Sequence, residues 1–87
     1  MDQLVKLQWP DVEVLALSAV RYALGRRTYI AVETCSIVTR IAHELSANTR
    51  TVMARDIRDE LAREHGGGDP IDRRAWGLLL RIIEAIQ

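Results

Sequence analysis

The sequence predicts an all-α fold, a compact bundle of about four helices preceded by a short N-terminal arm. Three observations predict it. Apolar residues recur at three- and four-residue intervals through four stretches, with no sustained alternation of the kind a half-buried strand shows. The stretches are separated by residues that start or stop helices: Trp9-Pro10-Asp11, Gly25 with Thr28, Ser46 to Thr49, and Gly66 to Pro70. The chain has 87 residues, a single domain over 1–87. A chain of this size buries roughly 60–65% of its unfolded surface, so the core is thin and leaves little room for an enclosed pocket.

Residues 1–8 form the arm, and Leu4-Val5-Lys6-Leu7 fits a short strand, an extra helical turn or an extended segment. Proline is preorganised for a first helical position, and Asp11 and Glu13 place negative charge at the positive end of the dipole. The first helix is expected from Pro10 to Leu24, with Leu17, Val20 and Leu24 facing the core and Val12, Leu15 and Ala16 widening that face. Gly25 suits a left-handed cap and Thr28 an N-cap. The second helix is expected from Thr28 to Leu45, burying Tyr29, Ile30, Val32, Ile37, Val38 and Ile41, with Arg40 and Glu44 on a polar side. Its β-branched residues lower helix propensity, so packing must hold it.

The third helix is expected from Asn48 to His65, with a narrow apolar stripe of Val52, Met53, Ile57 and Leu61. Asp59 and Arg63 stand at i,i+4 in the favourable order. Residues 66–70 form a flexible glycine-rich loop, after which Asp69 or Asp72 caps a last helix from Pro70 to Ile86. Leu78, Leu79, Leu80, Ile82, Ile83 and Ile86 make that helix apolar nearly all round. It is either central to the bundle or shared with a second subunit, as in a homodimer.

Twelve basic and twelve acidic residues balance, and neither half is strongly charged, so no global field attracts nucleic acid. Eleven of the basic residues are arginine, which fits coding bias as well as a preference for planar, multidentate donors. Cys35 stands alone, so no intramolecular disulfide forms and nothing points to secretion. The apolar runs are short and broken by charge, which argues against a membrane span, and Met1 to Gln8 lacks the apolar core of a signal peptide. A cytoplasmic location in a bacterial host is expected.

No chemistry of catalysis stands out, and the chain is read as a non-enzyme without metal or cofactor. His43 and His65 do not make a metal-ligand spacing. Cys35 and His43 lie eight residues apart on one helix, about 12 Å, too far for a nucleophile and its base. Gly66-Gly67-Gly68 lacks the lysine and hydroxyl residue of a phosphate loop, and Asp69 and Asp72 would repel an anion. Arg21, Arg26, Arg27, Arg50, Arg55 and Arg58 offer some support for nucleic-acid binding, but Asp56, Asp59, Glu60 and Glu64 interleave with them. A mixed charged face suits a protein partner better. Arginine, tyrosine and tryptophan are also the types enriched at interface hot spots, although Tyr29 and Trp76 also fit as core residues.

The string Arg21-Tyr22-Ala23-Leu24-Gly25-Arg26-Arg27-Thr28-Tyr29 is followed by Thr51-Val52-Met53-Ala54-Arg55-Asp56-Ile57, a Gly-rich turn, Asp72 and Trp76. Over residues about 16 to 83 this pattern resembles small accessory proteins of bacteriophages and other mobile elements. The resemblance implies a short stand-alone product, of a kind that includes stoichiometric blockers of host machinery such as anti-CRISPR proteins, and small regulators. It carries over no catalytic residues. The expected function is inhibition of a host protein or ribonucleoprotein complex by occlusion, through Arg26, Arg27 and Tyr29 together with Arg55, Asp56 and Asp59. The alternatives are a small nucleic-acid-binding transcriptional regulator and a dimerisation module built on the last helix.

Overall fold

A computed structural model describes residues 9–24, 30–63 and 69–86. Among the described residues there are four α-helices and no strand: α1 Trp9–Ala23, α2 Ile30–Ile41, α3 Ala47–Ala62 and α4 Pro70–Ala85. A single 3-10 turn, Ala42–Glu44, follows α2. The all-α bundle is therefore as the periodicity predicts. The expectations for residues 1–8, the Gly25 stop, the Thr28 cap, Tyr29, His65, the three loop glycines and the side chain of Trp9 lie outside the described residues. Among the described residues no helix is long and apolar enough to cross a membrane.

Helix ends are held by specific side chains. Ser46 caps α3, its hydroxyl accepting from the Thr49 N–H at 3.2 Å. The Ser46 N–H in turn donates to the Glu13 carboxylate of α1, which ties the start of α3 to the neighbouring helix. Asp69 caps α4, accepting from the Asp72 N–H at 3.0 Å, and Pro70 occupies the first turn, where its missing N–H loses nothing. Two arginines satisfy backbone carbonyls that helix geometry leaves over: Arg50 donates to Leu45 O, and Arg73 Nη2 donates to Leu61 O at 3.1 Å, joining α4 to the end of α3.

Around the bundle the neighbours run α1, α2, α4, α3 and back to α1. Glu13 meets Ser46 and Arg21 meets Asp56, so α1 and α3 run in the same sense. Arg73 meets Leu61 while Ile83 and Ile86 lie beside Ala47 and Arg50, so α3 and α4 run in opposite senses. The core joins Val20, Val38, Leu45, Met53, Ile57, Trp76, Leu79 and Ile83 with alanines at 16, 23, 31 and 54 and with Cys35. Packing against both α2 and α3 covers most of the apolar circumference of α4 and leaves Ile71 and Leu78 as its exposed large apolar side chains.

Four expectations are corrected. The second helix ends at Ile41 and not at Leu45: the tighter 3-10 turn carries Leu45 round to the side of Ala42, so that both are buried. The buried face of α2 is made by Ala31, Cys35 and Val38, while Val32 and Ile37 are exposed. The same substitution of small for large occurs on α1, where Ala16, Val20 and Ala23 are buried and Leu15 is exposed. Finally, α3 ends at Ala62 and Arg63 is already extended (φ −74°, ψ 145°). The anticipated Asp59–Arg63 pair is therefore replaced by Glu60–Arg63 at 3.4 Å.

One turn of α4 carries a polar penalty. Asp72 and Trp76, at i and i+4, are both buried, and Asp72 Oδ2 and Trp76 Nε1 find no hydrogen-bond partner among the described residues. Burial raises the Asp72 pKa, the charge of Asp69 raises it further, and a bond from the Asp69 backbone opposes the shift.

A carboxyl whose folded pKa is raised destabilises the fold in full above that pKa, and the effect fades as pH falls towards the unfolded value. Asp72→Asn is therefore expected to be more stable than the wild type at neutral pH, with the difference shrinking on acidification. Denaturant melts of both proteins across pH 3.5–8 check this, and a difference that grows on acidification would contradict it. Gly77 lies inside α4 with nothing within 4 Å of where a Cβ would stand. Gly77→Ala is expected to stabilise the protein by about 0.5–1 kcal/mol, read as a rise in Tm of a few degrees.

Candidate functional site

Of the six residues the sequence singles out, Arg55, Asp56 and Asp59 are placed, all on α3; Arg26, Arg27 and Tyr29 lie outside the described residues. Helical spacing sorts the three. Arg55 and Asp59, at i and i+4, occupy the outer crest and are exposed. Asp56 stands a third of a turn away, on the flank facing α1, and is half-buried. There it accepts from Arg21 Nε at 2.8 Å. Glu60, one turn on, and Arg63 continue this flank.

The result is an open groove of about 260 Å³ between α1 and α3, lined by Arg21, Leu24, Asp56, Asp59, Glu60 and Arg63. Three carboxylates and two guanidiniums line it. The guanidiniums are engaged, Arg21 by Asp56 and Arg63 by Glu60, whereas Asp59 makes no ion pair among the described residues. The groove is thus mildly acidic, with one uncommitted carboxylate at its rim. Arg26 and Arg27 follow Leu24, which lines the groove, within three residues in the chain.

The union of Arg21 with Asp56 is not legible in the sequence, because the two are 35 residues apart and only the side-by-side packing of α1 and α3 brings them together. Sequence reasoning also missed α4. Arg74 and Arg81 are exposed there, seven residues apart on one face, and make no ion pair among the described residues. Arg58, in contrast, is tied to Glu84 across α3 and α4.

Cys35 is buried, and its thiol is pushed up to about 12 by burial and by the charge of Asp72, so it is a neutral thiol at physiological pH. His43 is exposed on the 3-10 turn. No group of three or more His, Cys, Asp or Glu able to hold a metal occurs among the described residues. The site's chemistry is charge display: directional donors and acceptors on a rigid helix, in a shallow groove. No protein-family model, curated protein or solved structure matches the chain.

Proposed function

We propose that the protein is a small protein-binding inhibitor that occupies a surface of a host protein or ribonucleoprotein complex and blocks it by occlusion. A CRISPR effector is the partner class that the resemblance to phage accessory proteins implies. The observation that carries this reading is the acid-leaning groove between α1 and α3 with Asp59 uncommitted at its rim. Such a face complements a basic groove that ordinarily takes nucleic acid or a second subunit, and carboxylates held on a helix can compete there for the same arginines and lysines. Phosphate, by contrast, would meet three carboxylates. Arg55 on the crest extends the proposed contact surface; Arg26, Arg27 and Tyr29, assigned to it from the sequence, lie outside the described residues.

A second reading, a nucleic-acid-binding regulator, draws on a different place. The acidic interleaving that opposes it on α3 is absent from the outer stripe of α4, where Arg74 and Arg81 stand with Gly77 between them.

Capture from a bacterial lysate, followed by titration of the captured complex, tests the first reading. Asp59→Arg and Arg55→Glu leave the fold intact, because both side chains are exposed, and each is expected to weaken binding by about 10–100-fold. Binding that is unchanged in both variants would remove the α3 crest from the interface. For the second reading, anisotropy titrations against duplex and single-stranded DNA at 50 and 200 mM salt are decisive. A steep loss of affinity with salt that Arg74→Ala and Arg81→Ala abolish would support it, and no binding at 50 mM salt would dismiss it.

A further inference from the structure

The exposed large apolar side chains among the described residues concentrate on the first two helices: Val14, Leu15 and Tyr22 on α1, Val32 and Ile37 on α2. Between these helices runs an open groove of about 250 Å³, lined by Val12, Leu15, Ala19, Thr34, Ile37 and Ile41 among others, with Thr34 the only polar residue in its lining. Leu15 and Ile37 stand at its rim, 54% and 61% exposed. The small side chains of Ala19 and Thr34 let another helix approach closely.

Next to the groove, the outward stripe of α2 reads Glu33, Ile37, Arg40, at i, i+4 and i+7, all exposed. That spacing puts the three on one face of the helix. Glu33 and Arg40 are separated by about 10.5 Å along the axis, too far to pair with each other. Neither makes an ion pair among the described residues, and the stripe is therefore one negative charge, one apolar centre and one positive charge.

We propose that a second copy of this chain covers the α1–α2 face, the two α2 helices crossing antiparallel about a two-fold axis beside Ile37, so that each Glu33 meets the partner's Arg40. A two-fold interface must be complementary to itself. Reversal turns this stripe into its own complement, which it is not for a partner of single charge sign. Ile37 and Leu15 leave water in the centre of the contact while the ion pairs stay at its rim, the arrangement in which apolar burial drives association and charge fixes register. The face lies on the opposite flank of α1 from the groove shared with α3, so the dimer leaves that groove open and presents it twice. This inference is independent of the proposed function, and it uses a different face from the last helix considered from the sequence.

Sedimentation equilibrium of the full chain between 1 μM and 1 mM is expected to show a reversible monomer–dimer equilibrium. Glu33→Arg and Arg40→Glu should each raise the dimer dissociation constant on the order of 100-fold by placing like charges together twice, with far-UV circular dichroism unchanged. Mixing the two single variants in equal amounts should restore a dimer of near wild-type affinity, because each then carries the complement of the other. The double variant Glu33→Arg/Arg40→Glu should also dimerise by itself. A wild type that stays monomeric to 1 mM overturns the proposal. So does a dimer indifferent to both single changes, or a mixture of the two that fails to associate.

Discussion

Trp76 must be buried on a helix whose first turn is held by two aspartates, and the bundle is arranged around that requirement. The indole is fully buried, and a side chain of this bulk sets how closely α4 approaches its neighbours. The core cluster around it answers with small residues: Ala23 from α1, Ala31 and Cys35 from α2, and Ala54 from α3. Large beside small is how a close-packed interior fills without voids. The same helical register carries Asp72, one turn earlier, under cover with it. Asp72 shares the buried face of α4 with Trp76, so the burial that raises its pKa comes with the register that buries the indole, and its charge adds to the effect of burial on the Cys35 thiol.

Small residues in the seams have a further consequence. A helix that buries alanine and cysteine has its larger apolar residues left for the outside, and α2 buries Ala31 and Cys35 while exposing Val32 and Ile37. Hydrophobic patterning weights a residue by size, so it assigns the buried face of α2 to the isoleucines and valines. The interior selects instead for what fits against a buried tryptophan and its neighbours. The surface that results is more apolar than a neutral, charge-rich composition leads one to expect, and that surplus lies on α1 and α2.

Much of the fold was legible because helix punctuation is local chemistry. Pro10, Ser46 and the Asp69-Pro70 pair act through residues within one turn of themselves, and α1, α3 and α4 start within one residue of where those signals put them. The ends were less legible. The stops at Ile41 and Ala62 depend on where Leu45 must go and on Arg73 reaching across to Leu61 O, both tertiary facts. The candidate site divides in the same way. The exposure of Arg55 and Asp59 follows from helical spacing, but the partnership of Arg21 with Asp56 exists only through the packing of α1 on α3. Arg74 and Arg81 were hidden from sequence reading by the isoleucines and leucines around them, which marked α4 as core on every side.

A chain of zero net charge acquires local sign through the charges its fold consumes. Arg50 and Arg73 are spent on backbone carbonyls, and Arg58 and Glu84 on each other. Glu13 is held by the start of α3. Among the described residues, the charges without an ion pair include three pairs on helix crests: Arg55 with Asp59, Glu33 with Arg40, and Arg74 with Arg81. None of these six makes an ion pair among the described residues, whereas each consumed residue is bonded to an opposite charge or to the backbone. Arg21 and Asp56 sit between the two groups. Their bond is well formed, yet it lies at the protein surface, where such a pair contributes about 0–1 kcal/mol. An arriving cation can therefore displace Arg21 from Asp56 at small cost, so the groove between α1 and α3 can offer two carboxylates to a partner while showing one in the free protein.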